Sequence, residues 1–255
     1  MIRLWATSFA VVILAVLAIG FFLGQYTSGT AQPAAAPAPE DSFPPCKEKP
    51  LDHVGQPTRF EIVSDCVSVS GTVERVEFQL HDGDYRLFLD PDPQYERLLA
   101  ESNKGVLVAA IVPVDQPSVF LPTVGQHATF YGALVLDRGQ DKWAEIHPTW
   151  LITTFDVVVT VPSSVRVGDL VNISIDVSST IEGNQRVVPE ANLFLELIKQ
   201  DGTAVRWESA RINTLGVANV QFASLESPGN YTLLVHASRD QQSGVAKATF
   251  KIRRR

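Results

Sequence analysis

The sequence predicts an all-β protein: a five-stranded barrel followed by a two-sheet sandwich, both behind one N-terminal transmembrane helix. Three observations carry this reading. Residues 4–24 form an almost unbroken apolar run. From residue 67 onward, short stretches of alternating apolar and polar residues recur between turn residues, as half-buried strands do. With 255 residues, 45% of them hydrophobic, the chain can also bury the cores of two ordinary domains.

The apolar run, LWATSFAVVILAVLAIGFFLG, has the roughly 20 residues that a helix needs to cross a bilayer core. Only Arg3 and the α-amino group precede it, and no Lys or Arg follows before Lys47. The positive-inside rule therefore places the N-terminus in the cytoplasm and everything after Gly24 outside. A secretory apolar core is usually about 7–15 residues, so the length favours an uncleaved signal anchor over residues 1–24. The alternative is a removed signal peptide, cleaved after Ala31 with Gly29 and Ala31 as the small residues, which would leave the protein secreted. Residues 25–45, QYTSGTAQPAAAPAPEDSFPP, lack hydrophobic periodicity and are rich in Pro and Ala. Such a segment is expected to be a partly extended spacer.

Cys46 and Cys66 are the chain's two cysteines. Outside the cytoplasm disulfides persist, and two cysteines without a nearby Cys or His partner make a poor zinc pattern. A Cys46–Cys66 bond is expected, pinning the first segment onto the first strand.

Net charge is −7, and it is unevenly spread. Residues 46–155 carry nine Lys/Arg against sixteen Asp/Glu, while residues 156–255 carry eleven against ten. Affinity for nucleic acid comes from neutralised phosphates, so the acidic half argues against that partner. Arg253-Arg254-Arg255 reads as a solvated tail.

Within residues 46–155, Val67–Phe78 alternates and His81-Asp82-Gly83-Asp84 is a hairpin turn returning through Tyr85–Leu89. Pro93–Glu101 reads as a short helix with Asp92 at its N-cap. Strands are expected over Val106–Val112, Ala128–Leu136 and Trp143–Ile152. Gly71 and Gly132 fall inside strands, where glycine permits the hard coiling that closes a barrel. The motifs Ser70-Gly71-Thr72-Val73, Asp84-Tyr85-Arg86-Leu87, the stretch from Val124 through Gly132 to Asp137, and Glu145-Ile146-His147-Pro148 resemble the OB-like domains of secreted or anchored prokaryotic proteins. In such folds a helix usually lies between the third and fourth strands; here it is expected between the second and third.

The resemblance implies an oligosaccharide or oligonucleotide face on one side of the barrel. Tyr85 and Arg86 are the candidate ligand face, with Phe88 expected in the core and Tyr85 at the rim. Glu145 and His147, two apart, share one side of a strand, and with His127 from the neighbouring strand they are the candidate metal ligands. Ile146 would then be core, leaving Glu145 and His147 on the wet face or at the barrel rim. Asp82, Asp84, Asp90 and Asp92 form an acidic group without the spacing of a calcium loop. The chain has no GxSxG, P-loop, HExxH or helix-opening GxGxxG.

In residues 156–255 the strand rhythm is plainer. Strands are expected over Val157–Val161, Val165–Val167, Leu170–Val177, Asn192–Lys199, Val205–Ile212, Val217–Phe222, Tyr231–Ala237 and Val245–Ile252, with Asp201-Gly202 as a hairpin turn. This spacing argues for a sandwich. Pro228-Gly229-Asn230-Tyr231-Thr232 resembles the entry to a late strand in bacterial and macroglobulin-like Ig domains, which implies a tyrosine corner at Tyr231. Asn172-Ile173-Ser174 and Asn230-Tyr231-Thr232 are glycosylation sequons, so Asn172 and Asn230 are candidate modification sites. No cofactor is expected. The chain reads as a non-enzymatic extracytoplasmic module that contacts the membrane through its helix and a protein or glycan outside the cell. The alternatives are a metal- or small-ligand-dependent activity of the barrel and nucleic-acid binding by its OB-like face.

Overall fold

In the computed structural model, residues 46–254 are described, apart from Ala100, Leu225 and Glu226. The expected transmembrane helix and spacer lie outside the described residues. Among the described residues no helix is long and apolar enough to cross a membrane. The architecture there is all-β.

The first five strands are β1 (Phe60–Phe78), β2 (Tyr85–Pro91), β3 (Leu107–Ile111), β4 (His127–Asp137) and β5 (Trp143–Thr153). They pair in the order β1-β2-β3-β5-β4 and return to β1, forming a closed barrel. All pairings are antiparallel except β3–β5, a parallel seam of two residue pairs. Asn103 extends that seam with its side chain. Its Nδ2 donates to the Ala144 and Val106 carbonyls, and its Oδ1 accepts from the Ala144 N–H, as a strand neighbour's peptide would.

β1 is long because it coils around the barrel, with register shifts between Ile62 and Ser64, Ser64 and Val67, and Val73 and Arg75. Gly71 and Gly132 sit where strands approach too closely for a side chain. A Cβ on Gly71 would meet the Asp90 carbonyl, and one on Gly132 the Pro148 carbonyl. The barrel interior is filled by residues including Val69, Val73, Leu87, Leu89, Leu107, Phe130 and Ile146.

Two features differ from the sequence reading. The first strand begins at Phe60, not Val67. The expected helix over Pro93–Glu101 is two short 3₁₀ turns, Pro93–Leu98 and Glu101–Asn103. Asp92 does precede the first turn, but its carboxylate makes no capping bond; it binds Ser70 and His127 instead.

The segment before β1 covers the barrel's outer surface. Leu51, Val54 and Phe60 pack with Cys66, Val112, Ala133, Val135 and Trp150 into a second small core. The Cys46–Cys66 disulfide, with Cα atoms 5.5 Å apart, staples this cover to β1. Replacing both cysteines by serine is expected to lower stability by about 3 kcal/mol, from the entropy of the 20-residue loop. Urea denaturation of the double variant checks this, and a loss below about 0.5 kcal/mol would contradict it.

The remaining strands are β6 (Asp156–Thr160), β7 (Ser164–Arg166), β8 (Leu170–Ile181), β9 (Asn184–Val187), β10 (Asn192–Lys199), β11 (Ala204–Arg211), β12 (Val217–Ala223), β13 (Gly229–Arg239) and β14 (Gln242–Arg253). One sheet runs β11-β10-β13-β14-β7; the facing sheet runs β12-β8-β6, with β9 paired to β8. Val171, Ile173, Ile175 and Val177 of β8 meet Leu193, Leu195 and Leu197 of β10 in the core between them. The buried Tyr231 donates its hydroxyl hydrogen bond to the Ser227 carbonyl at 2.7 Å, the geometry of a tyrosine corner.

Barrel and sandwich belong to one compact unit. The N–H groups of Thr154 and Phe155 both donate to the Ser243 carbonyl. Gln242 Oε1 accepts from Gln126 Nε2 and Thr154 Oγ1. Phe155 is itself part of the sandwich core. The junction residues Gln126, Thr154 and Phe155 are therefore buried and hydrogen-bonded to the half-buried Gln242 and Ser243.

Candidate functional site

The barrel's outer face across β2, β3 and β5 gathers the buried ionisable side chains Asp84, Arg86, Glu145 and His147. Strand alternation sends Leu87, Leu89 and Ile146 inward, so Asp84, Arg86, Glu145 and His147 project outward. On most barrels that side is wet. Here the N-terminal cover closes it: Glu145 is 0% exposed and His147 3%. The Phe60 ring lies 4.5 Å from the His147 ring. The expectation of a solvated Glu145/His147 edge is therefore wrong, because Phe60, at the start of β1, packs over it.

His147 sits between two carboxylates. Its Nδ1 is 3.4 Å from Glu145 Oε2, and its Nε2 is 3.5 Å from Asp84 Oδ2 without forming a hydrogen bond. Arg86 Nε and Glu145 Oε1 are also buried without a hydrogen-bond partner. Beside them Arg59 forms a two-pronged ion pair with the fully buried Asp137, which also accepts from the Gly139 N–H at 2.8 Å.

The electrostatics follow from burial and partner. Burial pushes the Asp84 carboxyl up to about 6; Asp82 and Glu145 push the same way, while His147 and Arg86 pull it down. Burial also acts to raise the Asp137 carboxyl, but the Arg59 guanidinium and the Gly139 N–H outweigh it and hold Asp137 below the ordinary carboxylate value. The Asp137 hydrogen bond in turn raises Arg59.

Asp84 gives a pH prediction. A carboxyl raised from 3.8 to about 6 on folding adds stability below 3.8 and loses it as the pH rises through 6. Above that it is a cost. Asp84→Asn is expected to stabilise the protein by about 1–2 kcal/mol near neutral pH, and by nothing in acid. Urea midpoints measured across this range check it; a variant destabilised equally at both ends would contradict it.

The candidate metal ligands do not converge. Glu145 pairs with Val135 in the β4–β5 ladder, eight residues along β4 from His127, about 25 Å on an extended strand. His127 instead bonds Asp92 at 3.1 Å. Glu145 and Asp84 contact opposite nitrogens of the His147 ring, so they cannot share one ion with it. Among the described residues no three His, Cys, Asp or Glu side chains form a group that could hold a metal. The acidic group is likewise dispersed: Asp84 joins His147, Asp92 joins Ser70 and His127, Asp82 lies 2.9 Å from His81, and Asp90 is exposed.

Ser70, Asp92 and His127 were not expected together. Asp92 stands between the hydroxyl and the imidazole, so His127 is not placed to take the Ser70 proton. Tyr85 and Arg86 form no common face. Tyr85 packs with the barrel interior and meets the Phe78 ring at a tilt, centroids 5.1 Å apart, while Arg86 is buried outside. Phe88 is buried as expected, but on Arg86's side of the strand and not in the barrel interior, with the Arg75 guanidinium 3.5 Å over its ring. Asn172 and Asn230 are both exposed; Asn172 Oδ1 accepts from Gln221 Nε2, and Asn230 Nδ2 donates to Gln200 Oε1.

No family model matches the sequence, and no curated protein matches it. Several solved structures overlay on part of it. One is the CARDB domain of a Pyrococcus furiosus protein in complex with di-metal ions, at 14% identity and TM-score 0.28, over 39% of this chain and 87% of that one. A superoxide reductase (neelaredoxin) from Ignicoccus hospitalis has 10% identity and TM-score 0.29, over 39% and 82%. A family 123 glycoside hydrolase from Clostridium perfringens has 13% identity and TM-score 0.26, over 40% and 28%. Likenesses this slight carry neither fold nor activity to this chain, and the di-metal ions and enzymatic activities belong to those proteins.

Proposed function

We propose that the chain is a non-enzymatic binding module held on the outer side of a membrane by residues 4–24, with an OB-like barrel and an Ig-like sandwich as its extracytoplasmic parts. The observation that carries this is the sealed outer face of the barrel. The residues best suited to chemistry, Glu145 and His147, are buried, with Phe60 packed on the His147 ring beside the segment that the Cys46–Cys66 disulfide staples to β1. A substrate has no route to them while the cover is in place, and a disulfide in that role suits an oxidising compartment.

The finer fold reading has its own supports. The order β1-β2-β3-β5-β4 with β3 parallel to β5 favours an OB-like barrel, in a form with 3₁₀ turns before β3 and no helix between β3 and β4. The Tyr231–Ser227 bond favours an Ig-like sandwich. On this reading the partner is a protein or glycan of the cell exterior, and the acidic half of the chain disfavours nucleic acid.

The test is in whole cells. With the full chain carrying a C-terminal tag, external protease is expected to remove the tag while the membrane stays intact, and a membrane-impermeant cross-linker to join the chain to an envelope component. A tag protected until the cells are lysed would overturn the topology. Turnover of a small substrate abolished by Glu145→Gln, with the fold kept, would overturn the non-enzymatic reading.

A further inference from the structure

We infer that the end of the barrel at the β1–β2 hairpin is a lipid-contacting surface, which seats the chain on the membrane that anchors it. The inference rests on the proposal that residues 4–24 span a membrane, and adds the surface that meets the lipid.

The first observation is a group of exposed apolar side chains at one end of the barrel. Leu80, in the β1–β2 turn, is 92% exposed, Phe78 at the end of β1 is 51%, and Val114 after β3 is 54%. Leu80 is the most exposed large hydrophobic residue among the described residues. The two loops touch: Gln116 Nε2 donates to the Gly83 carbonyl at 2.7 Å, and Pro113 packs beneath Gly83. The Tyr85 ring supports Phe78 from behind. Apolar side chains held together at a loop end and unused by either core mark an interaction surface.

The second observation is where the described chain begins. Lys47 Nζ pairs with Asp115 at 3.0 Å, and Asp115 directly follows Val114. The chain therefore enters the barrel beside this apolar end. A 21-residue spacer over residues 25–45 spans about 25 Å as a coil and about 65 Å fully extended. A surface beside the attachment point of so short a tether meets the bilayer at high effective concentration.

The third observation is charge. Nearby full charges are paired locally, Lys47 with Asp115 and Arg75 with Glu77, and Asp82 lies 2.9 Å from the His81 ring. No basic cluster adjoins the apolar residues, so the contact is with the apolar boundary of the bilayer and not with anionic headgroups.

The experiment uses the full chain in phosphatidylcholine vesicles. The described residues contain no free cysteine, so Leu80→Cys supplies a thiol for an environment-sensitive fluorophore while Cys46–Cys66 stays bonded. Leu215→Cys, on an exposed turn of the sandwich, is the control. Emission from position 80 is expected to move to the blue and to be quenched by nitroxides on the lipid chains, with position 215 unaffected. Phe78→Ser with Val114→Ser should reduce the docked population roughly tenfold. A blue shift without lipid quenching means a protein partner or a second copy of the chain, and overturns the inference. So does an aqueous spectrum at position 80. Alkaline carbonate extraction separates the two ideas: a released chain defeats the anchor, whereas a retained chain with an aqueous position 80 defeats only the docking.

Discussion

Arg59→Met is expected to lower stability by about 2–4 kcal/mol near neutral pH, the cost of leaving a buried carboxylate without its cation. The Asp137 side chain is 0% exposed and both its oxygens face the Arg59 guanidinium. The guanidinium also lies 5.4 Å over the Phe60 ring, so the substitution loosens the cover as well as the ion pair. Arg59 is 26% exposed, and water at that edge keeps the loss below that of a fully enclosed pair. Because Asp137 is held below its ordinary value of 3.8, its contribution is present above that pH and disappears as the pH falls through the lower folded value. The gap between wild type and Arg59→Met should therefore close in acid. Adding Asp137→Asn to Arg59→Met should recover part of the loss by removing the orphaned charge. Urea denaturation of the cycle measures all three terms, and strictly additive losses would contradict the pairing.

Gly132→Val is expected to cost about 3–5 kcal/mol or to prevent folding. A Cβ there would overlap the Pro148 carbonyl, lie 2.5 Å from Ile146 Cγ2 and 3.1 Å from Thr149 Cα. Two of these obstacles are backbone, which cannot rotate aside. Register shifts on both sides of Gly132 show β4 and β5 bending past each other at this point. Gly55→Ala, with nothing within 4 Å of the added atom, is the matched control and should change stability by less than about 0.5 kcal/mol. Circular dichroism melts of both variants decide it; equal melting points would mean that the barrel does not need the close approach.

Strand alternation made most of the fold legible, because β8 and β10 each bury one face and leave the other wet. It failed where that premise fails. β9 is exposed at all four positions and carries no apolar period. The first half of β1 was missed because its register shifts reset the alternation every few residues. The 3₁₀ turns at Pro93 were read as a helix because Pro93 and Asp92 start either structure equally well.

For the site, alternation correctly put Ile146 inside and Glu145 and His147 outside. What it could not convey is that outside is not the same as wet. That depends on Phe60, far from β5 in the sequence, packing over the face. A run such as Phe60-Glu61-Ile62-Val63 was the available signal of a strand there. Which ring nitrogen meets which carboxylate is a matter of three-dimensional placement, and no spacing rule distinguishes shared ligands from opposed ones.

The side chain of Asn103 has one more consequence. A sheet that closes on itself presents no unpaired edge, and an unpaired edge is a template on which another chain can add a strand. Between β3 and β5 the backbone supplies two residue pairs, and a single amide continues the seam. That amide therefore helps to keep another chain from adding a strand at this seam.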